Sequence, residues 1–151
     1  TLEEARARGL EARLPRTIDA SECGSEGFFK SSQYLNLSWG GTRPNGVDDE
    51  DDDWIRTYDG GRRYGWATME SRGALFRLPR TGNRIQSFGA EVELGRKTRH
   101  EKFWVFDLDR QDLLCTAQIV NVAFDIEARK AILIPEEHRA ELERRCQPDL
   151  L

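Results

Sequence analysis

The chain has 151 residues, enough for one substantial core, and its 38% apolar and 33% charged residues exclude both a disordered polymer and a membrane-embedded chain. A net charge of −4 leaves no basic footprint and argues against wholesale nucleic-acid binding. The longest apolar run, 119–124, is interrupted by Asn121 and is far too short to span a bilayer.

No basic, apolar and small-residue leader is read at the start, and the three cysteines, Cys23, Cys115 and Cys146, are far apart and form no C-x-x-C pair. The expectations are a reducing cytoplasm, no disulfide framework and no zinc site. His100 and His138 have no partner at metal-ligand spacing, so no metal and no cofactor is expected.

In chain order, 1–14 is rich in Glu, Ala and Arg and reads as a solvated helical arm held by tertiary contacts, ended at Pro15. Residues 17–23 alternate in part and predict a short strand. After a turn at 24–27, the spacing of Phe28, Ser32, Leu35 and Trp39 predicts a helix over 28–39, stopped by Gly40, Gly41 and Pro44. Residues 44–63, with Asn45-Gly46 and the run 48–53, predict a polar acidic loop. The run fails a calcium-loop test: counting from Asp49 puts Trp54 where glycine is needed and Gly60 where a bidentate glutamate belongs.

Four long strands follow, over 67–78, 83–94, 97–108 and 113–126, joined by short polar turns. Such connections predict an antiparallel meander of sequential neighbours. Apolar residues on both faces of the last two strands require cover on both sides, one from the helix and the other from a second subunit or an ordered loop. Pro135 and the acids after it open a final helix to residue 146, with Arg144 and Arg145 in its last turn. The reading is one α+β domain over 1–151: an antiparallel sheet of about five strands around a central helix, plus a C-terminal helix.

Three stretches resemble the hotdog-fold acyl-CoA thioesterases of the 4-hydroxybenzoyl-CoA thioesterase-like group. Residues 21–29 (SECGSEGFF) resemble the family's acidic-x-x-Gly turn before the central helix, with Tyr34-Leu35 at its aromatic-leucine pair. Residues 78–83 (LPRTGN) resemble its Pro-x-x-Gly-Asp turn, and 122–137 its closing strand and Ile-Pro tail. The resemblance covers roughly residues 18–145. It implies the hotdog fold, an acyl-CoA or acyl carrier protein thioester as substrate, a homodimer or a tetramer, and a soluble cytoplasmic enzyme. Two departures stand out. Gly24 occupies the place of the usual catalytic aspartate, and Phe28 that of the usual His or Arg.

Thioester hydrolysis needs a donor for the carbonyl oxygen and a carboxylate that attacks or activates water. The resemblance points to the Gly27 and Phe28 amides as donors at the start of the central helix; the competing role is an ordinary capped helix end. With Gly24 in the aspartate place, Glu22 and Glu26 are the nearest carboxylates. Glu26 would equally serve as a surface partner of the helix dipole, and Glu22 as a solvent-facing strand residue. Tyr34, Glu70, Arg80, Arg96 and Lys97 are the candidate substrate-binding residues. Glu70 shares a face with Arg72, which favours an internal ion pair, and the cations suit the phosphates of coenzyme A or simply a solvated edge. Asn121, in an apolar strand, is expected to bond to backbone rather than to serve as a pocket group, and Cys23 to act as a small hydrophobe. The alternative function is a non-catalytic hotdog protein that binds an acyl thioester or acts as an assembly module.

Overall fold

The computed structural model describes residues 1–39 and 55–151. Gly40, Gly41, Pro44, Asn45, Gly46 and the acidic run 48–53 lie outside the described residues, and with them the expected helix stop and most of the expected loop.

The helices are α1 (Leu2–Ala7), α2 (Tyr34–Trp39) and α3 (Glu136–Arg145). The strands are β1 (Glu11–Ala12), β2 (Arg16–Thr17), β3 (Ile55–Tyr58), β4 (Arg62–Leu75), β5 (Arg84–Leu94), β6 (Thr98–Asp107), β7 (Leu113–Asp125) and β8 (Lys130–Ala131). Among the described residues they form one sheet in the order β1-β5-β6-β7-β4-β3, with β2 also on β5 and β8 on β7. The chain divides into two compact units: Thr1–Gly46, Gly73–Gly89 and Phe103–Ala117 make the first, and Val47–Arg72, Ala90–Lys102 and Gln118–Leu151 the second.

The four long strands and the final helix fall within a few residues of their expected positions. Their pairing does not follow the expected meander throughout. β5, β6 and β7 are sequential neighbours, but β4 lies beside β7 rather than β5. The reason is in the connection after β4. The Phe76 and Arg77 amides both donate to the Leu114 carbonyl of β7, at 2.9 and 3.2 Å, and Pro79 has no amide to give. Thr81 and Gly82 donate instead to the carbonyls of Gly27 and Ile18, so the 78–83 turn is tied to the N-terminal part of the chain and closes no hairpin.

In the first unit the core consists of Ile18, Cys23, Phe29, Leu37, Ile85, Val105, Leu114 and Cys115. Here α2 meets β5, β6 and β7. The expected helical stripe is corrected: Leu37 is fully buried, whereas Leu35 and Phe28 are half-buried and Ser32 is exposed. The expected helix over 28–39 also starts later, with a 3-10 turn at Ser31–Gln33 followed by α2. Phe28 and Phe29 are extended and pair with Arg80 and Cys23. The expected strand over 17–23 reduces to β2, because Asp19 accepts the Ser21 amide and the Glu22 carboxylate accepts the Asp19 amide, a reciprocal cap that curls Ala20–Glu22 into a 3-10 turn. The N-terminal arm buries Leu2, Ala5 and Leu10, and β1 lies on β5.

In the second unit Tyr64, Trp66, Ala123, Ile134 and Leu142 form the core, so α3 packs on the sheet. Part of the expected polar loop is a hairpin, with β3 paired to residues 62–65 through a turn at Asp59, Gly60 and Gly61 that carries positive φ throughout. Asn121 corrects another expectation. It is fully buried, yet its partners are side chains: it accepts from Thr68 Oγ1 at 2.8 Å and donates to Glu101 Oε2 at 2.6 Å. Arg99, 3% exposed, pairs with Glu91 and Glu101 and lies over the Trp66 ring at 4.4 Å. Along β4 and just beyond it, residues 68–76 are exposed without interruption.

Leu37 ties the short helix to three strands. Leu37→Ala is expected to cost about 2–5 kcal/mol through lost burial and an unfilled cavity. A urea or guanidinium unfolding midpoint unchanged from wild type would contradict that packing role.

Candidate active site

The site is built on a tight hairpin in the first unit. The Gly27 amide donates to the Gly24 carbonyl at 2.9 Å, closing a turn in which Gly27 has φ of +75°. A non-glycine residue would be strained there. The Gly24 amide donates to the Phe28 carbonyl at 2.8 Å and the Lys30 amide to the Glu22 carbonyl at 3.1 Å, which zips the two arms together. The second arm has another neighbour on its far side: Phe29 donates to the Pro79 carbonyl at 2.9 Å, and the Thr81 amide to Gly27 at 3.2 Å. Phe29, 1% exposed, anchors this arm in the core. Ser25 and Glu26 are thereby left at the tip.

Around this hairpin lies an open cavity of about 550 Å³, lined by Gly24, Ser25, Glu26, Phe28, Phe29, Lys30, Ser31, Arg77 and Leu78. Among the described residues Glu26 is the one carboxylate on its wall. The Arg80 guanidinium lies over the Phe28 ring, 4.1 Å from the ring centroid, which restrains both side chains. Two cations that the sequence reading passed over line the cavity. Arg77 pairs with Asp107 at 2.8 Å and Asp112 at 3.2 Å, and Lys30 Nζ donates to the Ser21 carbonyl at 3.0 Å. Arg77 sits beyond the end of β4, where no sequence spacing links it to the hairpin.

The expected site residues are thus only partly brought together. Glu26, Phe28 and Gly27 belong to one turn, but the Gly27 amide is already bonded, whereas the Ser25, Glu26 and Phe28 amides have no acceptor among the described residues. The hairpin also lies ahead of the helix, so these amides are not helix-terminal groups. Glu22 points elsewhere: Arg16 Nη1 donates to both its carboxylate oxygens, at 2.9 and 2.8 Å. Tyr34, half-buried, lays its ring on the Gly73 backbone so closely that a Cβ there would fall 2.5 Å from Cε2. It does not line the cavity. Arg80 does not line the cavity either, but lies over the ring of Phe28, which does.

Glu70, Arg96 and Lys97 belong to the second unit. Glu70 pairs with Arg72, as its spacing suggested. Arg96 is exposed, and Lys97 Nζ reaches the Ala131 carbonyl at 3.4 Å. His100 contacts Glu93 at 3.1 Å across β5 and β6. Cys23 is buried in the core as a small apolar group. Among the described residues no cluster of three His, Cys, Asp or Glu side chains could hold a metal ion, and no helix is long and apolar enough to cross a membrane.

No protein-family model matches the chain, and no curated protein matches it in sequence. Solved structures do match in fold. The YbaW probable thioesterase of Escherichia coli superposes with a TM-score of 0.69 at 13% identity, covering 91% of this chain and 99% of that one. Slr0204 of Synechocystis, a 1,4-dihydroxy-2-naphthoyl-CoA thioesterase, gives 0.63 at 11% identity over 87% of this chain and 95% of its own. SAV2348 of Staphylococcus aureus, solved in complex with CoA, gives 0.64 at 12% identity over 91% and 86%. The chain has the hotdog fold seen in thioesterases.

The Glu22–Arg16 pair outside the cavity carries a pH signature. Burial raises the Glu22 carboxyl, but the Arg16 guanidinium and the Asp19 amide outweigh it and hold the group below its ordinary value of 4.5. A depressed folded-state pKa means that the stabilisation is present above the unfolded value and lost as pH falls through the folded one. Glu22→Gln is expected to lose about 1 kcal/mol at neutral pH and to flatten the fall in unfolding free energy between about pH 5 and 3. Identical acid limbs in denaturant titrations of the two proteins would remove the pair from that role.

Proposed function

We propose that the chain is an acyl-CoA thioesterase, acting as a cytoplasmic homodimer on an acyl group carried by coenzyme A or an acyl carrier protein. The observation that carries this reading is Glu26, the one carboxylate among the described residues on the wall of the hairpin cavity, in a chain with the fold of thioesterases. The CoA complex of SAV2348 supports a coenzyme A thioester as the class of ligand.

In this mechanism the acyl group enters the cavity against Phe28 and Leu78. The Phe28 amide donates to the thioester carbonyl oxygen and strengthens that bond as the oxygen becomes an oxyanion. Glu26 takes a proton from water, whose oxygen adds to the carbonyl carbon. The tetrahedral intermediate collapses with cleavage of the C–S bond. The thiolate leaves and takes the proton held by Glu26, and the acid product releases its own to solvent, so water is consumed and the products are a carboxylate, a free thiol and one proton. Lys30 and Arg80 are the cations at hand for phosphate groups of the carrier. This moves the carbonyl donor from the central-helix terminus to an extended bridge segment, and the water-activating role from the Glu22 or Glu26 pair to Glu26.

Gly24 supports a second reading, a hotdog protein that binds an acyl thioester without cleaving it, because it stands where the resemblance places the usual aspartate.

Glu26→Gln is expected to lower kcat by roughly 10²- to 10⁴-fold, with KM little changed, in assays over short, long and aromatic acyl-CoA esters. Full rates for both Glu26→Gln and Glu22→Gln would refute the mechanism while leaving hydrolysis intact. Tight acyl-CoA binding by the wild type without turnover would establish the second reading.

A further inference from the structure

In the second unit α3 meets the sheet around one imidazole. His138 Nδ1 lies 2.9 Å from the Tyr64 hydroxyl, with the ring centroids 5.5 Å apart and the planes 31° from parallel. Tyr64 is 1% exposed, and among the described residues its hydroxyl has no other hydrogen-bond partner. Burial pushes its pKa up to about 12, against the pull of Arg56 and Arg99, so the phenol keeps its proton. A buried proton with one acceptor in reach points at it. His138 therefore accepts at Nδ1 and carries its own hydrogen on Nε2, 3.6 Å from the Glu137 carboxylate.

Charged groups surround the ring from each element packed against it. Arg56 of β3 is bonded to Glu141 of α3 at 2.7 and 3.1 Å. Arg99 of β6 lies over the Trp66 ring of β4 and pairs with Glu91 of β5, which Arg145 of α3 also reaches. His138 shares a narrow crevice with the three guanidiniums, and that crevice has no room for a water molecule.

We propose that Tyr64 and His138 form an acid-sensitive latch on α3, in which protonation of the imidazole loosens the C-terminal helix from the sheet. A proton on Nδ1 faces the proton of the Tyr64 hydroxyl, so one of the two loses its acceptor where no water can replace it. It also adds a fourth cation beside Arg56, Arg99 and Arg145, which Glu137 and Glu141 offset only in part. Burial first and Arg56 second hold the imidazole below its ordinary value of 6.5, outweighing the two glutamates. The sign follows. A helix lifted into water frees the imidazole to take up its proton near 6.5, whereas the docked one resists. The stabilisation of docking is therefore complete above pH 6.5 and is lost as pH falls below it, until the docked group titrates as well. Over that window the open population rises by up to about tenfold per pH unit. The window lies above the one in which Glu22 acts, and the latch is independent of the thioesterase reading.

Two measurements on the whole chain test it. In an NMR titration of the wild type, with His100→Gln used to tell the two imidazoles apart, His138 is expected to titrate below 6.5. Tyr64→Phe, which removes the bond and keeps the ring, is expected to move it back toward 6.5. In hydrogen exchange corrected for intrinsic rates, protection of residues 139–145 is expected to fall roughly three- to tenfold between pH 7.5 and 5.5. His138→Gln, which cannot take up a proton, is expected to abolish that fall. A His138 that titrates at or above 6.5, a titration unmoved by Tyr64→Phe, or protection that is flat in the wild type would each overturn the latch. So would an equal fall in His138→Gln. Should that variant not fold, the wild-type titration and exchange decide the matter alone.

Discussion

The candidate site depends on one anchored residue. Phe29 is buried in the first unit's core, and its amide is committed to Pro79 while its neighbour Phe28 pairs with Arg80. Both sides of this short extended segment are therefore occupied, by the Cys23 arm on one and the 79–81 segment on the other. A segment so bonded cannot become helix, because helical φ/ψ would break every one of these bridges at once. The turn before it must then reverse within a few residues, which Gly27 permits and which leaves Ser25 and Glu26 exposed at the tip.

That constraint changes the chemistry available. A helix beginning at residue 28 would have offered dipole-assisted amides to an oxyanion, but α2 begins at Tyr34, behind a 3-10 turn. In the proposed mechanism the donor is instead an amide of an extended segment. It holds its direction through neighbouring bridges and does not draw on a helix dipole. Electrostatic preorganisation needs fixed donors in a place poor in water, and a doubly bridged segment meets the first condition as well as a helix end does.

The two carboxylates that sequence alone left equivalent are separated by their neighbours. Glu22 receives two charge-assisted hydrogen bonds from Arg16 and one from the Asp19 amide, so its lone pairs are committed to holding the 3-10 turn. Glu26, two residues beyond the Gly24 position, has no such partner and lies on the cavity wall. In the second unit the same logic runs toward stability. Arg99 pairs with Glu91 and Glu101, Asn121 bonds to Thr68 and Glu101, Arg145 of α3 reaches Glu91, and Arg56 ties β3 to α3 through Glu141. Buried polar groups of this kind are tolerable only when each has a partner.

What the sequence determined was local periodicity. Runs of Val, Ile, Phe and alternating polar residues placed the four long strands and the final helix to within a few residues, and the order of three weak motifs led to the hotdog fold. The Glu70–Arg72 pair and the apolar role of Cys23 were also legible, since each needs only side-chain spacing or type. The tertiary structure decided the rest. Strand partners were invisible because apolar alternation reports which face is buried, never which strand lies alongside, so β4 could be set beside β5 when its hydrogen bonds go to β7. The start of the central helix was misplaced because helical spacing at Phe28 and Leu35 says nothing of the bridges that capture residues 28 and 29. Arg77 entered the cavity wall from a distant strand end, by a route no spacing encodes. Local propensity is written in neighbouring residues, whereas backbone pairing and the choice between Glu22 and Glu26 are settled by groups brought close only when the chain folds.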